Sequence, residues 1–154
     1  MAVLSINRDA VIDYTLEFFD PDRMRDFSQW RALFKAAYDE TGFGEFNPDY
    51  DNYCDMQHKG NLVLFSAWRG NELVGYTVHA IFRHYNDRNL KVGQRRSQYV
   101  KPDFRGRGIA TRMLQLTHDE MKRRGVKYTL LNTRAYRHQK LGYKRMETVW
   151  MKEL

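Results

Sequence analysis

A chain of 154 residues, 42% hydrophobic and 14% aromatic, has the size and apolar content of one globular domain and no room for a second. Its longest clean apolar run, Leu62 to Phe65, is too short to cross a bilayer, and Met1-Ala2-Val3-Leu4-Ser5-Ile6 lacks the basic start and long apolar stretch of a signal peptide, so a cytoplasmic protein without membrane contact is expected. Net charge is +7, and Cys54 is the only cysteine, which excludes an internal disulfide or a cysteine-built zinc site.

Tyr14 to Phe18 reads as a first strand, ended by Asp20-Pro21, an N-cap followed by proline at a first helical position. A helix is expected from about Pro21 to Glu40, with Phe27, Trp30, Phe34 and Ala37/Tyr38 on one buried face and Thr41-Gly42-Phe43-Gly44 as its stop. Asn47-Pro48 opens a second short helix ending near Lys59-Gly60-Asn61. Leu62 to Trp68 and Leu73 to Tyr85 read as a hairpin turned at Arg69-Gly70-Asn71-Glu72. After the turn formers Asn86-Asp87-Arg88-Asn89, a third strand runs from Leu90 to Val100. Its Gln94, Arg95, Arg96 and Gln98 are unusually polar, which suggests exposure or a substrate-facing edge. A loop from Lys101-Pro102 leads to a helix from about Gly108 to Arg124, with Ile109, Met113, Leu116 and Met121 inward and Arg112, Lys122, Arg123 and Arg124 in water. Gly125 caps it, and Val126 to Leu131 is a buried strand. A brief helix over Tyr136 to Leu141 and a last strand over Lys144 to Lys152 complete an α/β chain with a mixed sheet, an antiparallel meander carrying a β-α-β unit.

Charge is divided unevenly. Residues 1–60 carry six Lys and Arg against twelve Asp and Glu, and residues 61–154 carry twenty against seven. The split suggests a polyanionic partner for the C-terminal part and a cationic one for the N-terminal part, or simply a solvated surface.

The chemistry is concentrated in Arg105-Gly106-Arg107-Gly108-Ile109-Ala110. Two glycines between a strand and a helix let several backbone N–H groups approach one cluster of oxygens, aided by the helix dipole, and Arg105, Arg107 and Arg112 add charge at the rim. The spacing fits neither a dinucleotide fingerprint nor a P-loop. The hexapeptide resembles the pyrophosphate-loop motif Gln/Arg-x-x-Gly-x-Gly/Ala of the GCN5-related N-acetyltransferase (GNAT) family. The lead-in Tyr99-Val100-Lys101-Pro102-Asp103-Phe104 and the later Lys140-Leu141-Gly142-Tyr143 are also similar to that family's segments. The resemblance runs from about Leu62 to the C-terminus and is faint before it.

The resemblance implies a GNAT-like acyltransferase domain over residues 1–154 that uses acetyl-CoA. Backbone groups at Tyr99 and Val100 would hold the pantetheine arm, the amides of Gly106 to Ala110, extending to Thr111, the pyrophosphate, and Asn132 is a further cofactor-side residue. An amine, either a small cation or a protein lysine or N-terminus, would attack the thioester directly. Where many members carry a tyrosine that protonates the departing thiolate, this sequence has His138, a competent proton donor, with Tyr136 next in line. Glu45, His79, His84 and Tyr99 are the candidate bases by type and region, and none stands out. Asp39, Glu40, Glu45, Asp49, Asp51 and Asp55 crowd the expected acceptor side, where they would attract a cationic amine or merely form a solvated acidic loop. The short C-terminal part implies an abbreviated acceptor site that a homodimer would complete. The competing reading is a basic nucleic-acid-binding module on the same fold, without acyl transfer, in which the C-terminal part contacts nucleic acid or an acidic protein.

Overall fold

The computed structural model of the chain describes residues 11–41 and 44–131. In chain order these form β1 (Asp13–Glu17), α1 (Phe27–Thr41), α2 (Tyr50–His58), β2 (Leu62–Arg69), β3 (Glu72–His84), β4 (Asp87–Val100), a short 3₁₀ turn (Pro102–Phe104), α3 (Ile109–Arg123) and β5 (Val126–Leu130). The strands make one sheet in the order β1-β2-β3-β4-β5, antiparallel except for the parallel β4–β5 pair. The expected helix over Tyr136 to Leu141 and the last strand lie outside the described residues.

Every residue of β2 from Leu62 to Trp68 is buried, because both faces of the sheet are covered. On one face Leu62, Leu64, Trp68, Tyr76, Val78 and Tyr99 pack with Trp30 and Leu33 of α1. On the other, Val74, Val100, Ile109 and Met113 form one cluster, and Val63, Phe65, Ile81, Met121 and Val126 a second. Removing a side chain such as Leu64 from water contributes about 1.5–3 kcal/mol. Gly93 is required by this packing, since a Cβ there would collide with Met121 Sδ of α3.

The structure departs from the sequence reading at several points: β4 begins at Asp87 rather than Leu90, and β5, expected to be buried, has only Val126 buried. Asp20 caps only an isolated turn, taking the amides of Arg23 and Met24 on its carbonyl and that of Asp22 on its carboxylate. The helix proper begins six residues later, after Asp26 adopts a left-handed φ of 45° and accepts bonds from Ser28 Oγ (2.5 Å) and Gln29 Nε2 (2.8 Å). Arg124 does not face water. Its Nη1 donates to the carbonyls of Gly60 (3.1 Å) and Leu62 (2.8 Å) and its Nε to Glu120 (2.7 Å), tying the end of α3 to the start of β2. Leu116, expected inside, is half-buried, and Leu114, Thr117 and Glu120 join the inner face.

His79 sits at the centre of β3 with no exposure, its Nδ1 3.4 Å from Thr77 Oγ1 and its Nε2 without a hydrogen-bond partner. Burial, reinforced by Arg95 and His118, lowers its pKa from 6.5 to about 3. The unfolded chain therefore binds a proton that the folded chain refuses, and stability is lost as pH falls below 6.5. Between pH 6.5 and 4.5 the loss attributable to His79 is about 2–3 kcal/mol, with Glu72 and Glu120, both lowered by their cationic partners, adding to it only near the lower end. Urea melts of His79→Leu should show a much flatter slope over this window, with a remainder from His118, whose pKa burial also lowers; an unchanged slope would mean His79 is not the group that titrates.

Candidate functional site

β4 ends at Val100, and the amide of Lys101 still bonds the carbonyl of Val74, so the chain leaves the sheet at a fixed point. The 3₁₀ turn then drives Phe104, 5% exposed, into the cluster beneath α3. Gly106 and Gly108 follow with φ of 76° and 78°, a region that side chains rarely adopt. Gly108 is the N-cap of α3 and offers no side-chain cap. The amides of Ile109, Ala110 and Thr111 are thus the helix's first N–H groups, which have no acceptor inside it, while Arg112 N makes the first helical bond, to Gly108 O (2.9 Å). Ile109 is buried, Ala110 half-buried and Thr111 exposed, so the first helical turn is anchored from below and open above. A Cβ on Gly106 or Gly108 would meet no atom within 4 Å. The glycines serve the backbone's turn, and the space over them is clear.

The arginines divide between two jobs. Arg105 is turned back rather than outward: its Nε donates to Val100 O (2.8 Å), its Nη2 to Glu40 Oε1 (2.8 Å), and its guanidinium lies 5.2 Å from the Tyr99 ring. It braces the loop against β4 and the end of α1, and it occupies the Val100 carbonyl expected to hold the pantetheine arm. Arg107, over the Phe104 ring at 5.2 Å, and Arg112 are exposed and supply the rim charge.

β4 is released from β5 next to this loop. The parallel pairing runs from Lys91↔Val126 to Gln94↔Leu130 and stops. Immediately beyond, the register against β3 slips from His79↔Arg95 to Val78↔Ser97, leaving Arg96 as the extra residue of a bulge. Gly93 faces α3, whereas Ser97 bonds Tyr76 Oη (2.7 Å) and Tyr99 packs on the α1 side. From Arg95 to Val100, β4 keeps β3 on one edge and no described strand on the other. Sequence reasoning saw the polarity of Arg95 and Arg96 and missed the bulge that explains it.

Of the candidate bases, His79 is sealed in the sheet with a depressed pKa, and the structure excludes it from proton removal at neutral pH. His84 is also excluded: it ends β3, eight residues from the Tyr76↔Tyr99 pair, about 26 Å at strand rise, and its Nδ1 accepts the Asn86 amide. Tyr99 is buried beneath Arg105, and Glu45 is exposed between α1 and α2, five residues after the glutamate that holds Arg105. The acidic crowd is largely engaged locally: Asp39 with Lys35, Asp55 with Lys59, Glu40 with Arg105, and Asp49 as the cap accepting Asn52 N. His138, Tyr136 and Asn132 lie outside the described residues.

An outward row of amides, two exposed arginines and the positive end of a 15-residue helix suit a pyrophosphate, and the β4 edge that no described strand pairs suits an amide-bearing arm. Gly108→Val should therefore leave a folded protein, since its Cβ enters open space, but lower CoA affinity at least about a hundredfold by straining the turn and covering the amides. Calorimetric titration checks this, and wild-type affinity in a folded variant would remove the loop from the site.

Residues 21–143 match the acetyltransferase (GNAT) family. An aminoglycoside acetyltransferase from an uncultured soil metagenomic sample superposes with a TM-score of 0.72 at 16% identity, over 95% of this chain and 98% of its own. A predicted acetyltransferase from Clostridium acetobutylicum, solved with acetyl-CoA, gives 0.72 at 20% identity over 94% and 96%. Glucosamine-6-phosphate N-acetyltransferase from Arabidopsis thaliana gives 0.68 at 14% over 94% and 98%. No curated protein matches in sequence. With the family match spanning most of its length and the glycine loop at the start of α3, the chain belongs to the GNAT family of acetyltransferases, enzymes that take their acetyl group from acetyl-CoA.

Proposed function

We propose that this chain is a single acyltransferase domain in which Gly106 to Thr111 hold the CoA pyrophosphate and the β4 edge beyond Gln94 receives the pantetheine arm. The observation that carries this is the uncapped start of α3 at two left-handed glycines beside a strand whose outer edge beyond Gln94 has no partner strand among the described residues. Acetyl-CoA supplies the activated acyl group; the chain's residues orient it and the acceptor. The acceptor is a primary amine, and its neutral nitrogen attacks the thioester carbonyl directly.

Aminoglycoside acetyltransferases among the similar structures support a small polyamine-like acceptor, and a protein lysine or N-terminus is the other amine of the same chemistry. With four of the six acids engaged locally, Glu45 and Asp51 are the exposed carboxylates left to meet a cation. Glu45 takes the acceptor's proton directly or through water, and His138 delivers one to the thiolate, with Tyr136 as the alternative donor.

Incubation of a panel of amines, aminoglycosides and peptides with acetyl-CoA, read by mass spectrometry, tests the reading; absence of CoA binding by calorimetry sinks it. With the best acceptor, His138→Ala should lower turnover about 10²-fold or more with acetyl-CoA affinity little changed, and His138→Tyr should restore part of it. Full activity in His138→Ala with loss in Tyr136→Phe would reassign the acid to Tyr136.

A further inference from the structure

Helix α3 has a second cationic end. Its 15 residues span about 22 Å, separating the glycine loop from a group of basic side chains at its C-terminus. There the β3–β4 hairpin runs past the rest of the sheet: β2 pairs with β3 only as far as Ala80, and β5 meets β4 only from Lys91. The hairpin tip, residues 83–89, is exposed throughout and carries Arg83, His84, Tyr85 and Arg88. Lys91, paired with both Arg83 and Val126, donates to the carbonyl of Arg124 (3.2 Å) and brings the hairpin against the end of α3, beside exposed Lys122 and Lys127. Among the described residues the acids of this end are Asp87, Asp119 and Glu120; Asp87 accepts the Asn89 amide, and Glu120 is held by Arg123 and Arg124.

Two exposed aromatics stand among these cations. Tyr85 is 97% exposed at the hairpin tip, and Tyr128 is 55% exposed with the Lys127 ammonium 5.6 Å from its ring centre. Between α3 and β5 a recess of about 400 Å³, lined by His118, Lys122, Lys127 and Tyr128, also borders Thr129, whose buried hydroxyl has no hydrogen-bond partner. A solvated basic face explains the charge and leaves the aromatics and the recess without a role. An acidic polypeptide would use the charge and gain nothing from flat exposed rings. A single-stranded nucleic acid uses all three, with phosphates on the lysines and arginines and unstacked bases on the tyrosines or in the recess.

We propose that the β3–β4 hairpin tip and the C-terminal end of α3 form a binding surface for single-stranded nucleic acid, separate from the acyl-CoA loop at the other end of the same helix. The surface does not depend on the acetyltransferase reading, and CoA binding reports on that reading separately.

Fluorescence anisotropy with a labelled oligothymidylate of about twenty nucleotides tests it on the full chain. Four neutralised phosphates predict a roughly 50-fold loss of affinity between about 50 and 200 mM salt. Saturating CoA should not displace the strand, because CoA would occupy the opposite end. Arg83→Glu with Arg88→Glu should abolish binding at the higher salt, and Tyr85→Ala should weaken it at least about fivefold at both. All three substitutions lie on an exposed hairpin tip, and unchanged melting temperature and CoA affinity verify that the fold survives. Displacement by CoA would place the polyanion at the glycine loop and overturn the proposal. So would absence of binding, or polyglutamate competing as well as the oligonucleotide with Tyr85→Ala inert, an outcome that names an acidic protein instead.

Discussion

The structure depends on β4 being held along one edge and let go along the other. Pairing with β3 runs the length of the strand, while pairing with β5 ends at Gln94, one residue before the bulge at Arg95 and Arg96. A bulge adds a residue to one side of a ladder, turns the strand and increases its local twist, and it falls where the parallel pairing ends. It also exchanges faces. Before it Gly93 packs against Met121, and after it Ser97 and Tyr99 turn toward α1. The strand therefore arrives at Val100 with its last side chains embedded and no described strand on its outer edge, next to the glycine turn that starts α3.

Charge serves this geometry mostly by short-range bracing. Arg105 is the clearest case, because its position in the motif suggests a ligand contact while its actual bonds join the loop to β4 and α1. Glu40, which the sequence places among acceptor-side acids, is its counter-ion. At the other end of α3, Glu120 holds both Arg123 and Arg124, and Arg124 carries that attachment to the carbonyls of Gly60 and Leu62. Glu120 is held down to about 2 by its hydrogen bonds to Arg123 and then Arg124, so it stays ionised and the brace persists far into acid. Several N-terminal acids are thus engaged in local ion pairs and a cap, whereas cations remain exposed at both ends of α3.

What the sequence made legible were the features governed by local periodicity and backbone demand. The stretch from Leu62 to Trp68 reads as the first strand of a hairpin and is one, buried on both faces. Ile109 and Met113 mark the inner side of α3, and the two glycines mark its start. Features set by distant partners were not legible. Asp20-Pro21 carries a strong helix-start signal, yet the helix begins after Asp26, a second cap residue whose weaker signal the proline outweighs in the sequence. Arg124 looks like a solvated helix end because its partners lie sixty residues away in the sequence. The bulge needs the β3 register to be seen at all. Of the candidate site, the glycine turn was readable, and the bulge beside it was not.

The same register constrains the chemistry. His79 is locked neutral inside the sheet and His84 stands at the far end of β3, so neither imidazole accepts the acceptor's proton at the loop. What the described residues do provide is rigidity: a strand fixed by β3, a helix start fixed by Ile109 and Phe104, and a loop braced by Arg105. Holding two reactants in line replaces the entropy of their encounter and is worth about 7–11 kcal/mol of a barrier when the geometry is right, against about 3–5 kcal/mol for a single acid or base. A thioester is already activated toward a neutral amine. If the acceptor attacks as a free amine, as proposed, positioning is the larger contribution on this architecture, and the fraction of acceptor present as free amine, more than any titrating side chain of β3, would govern how the rate rises with pH.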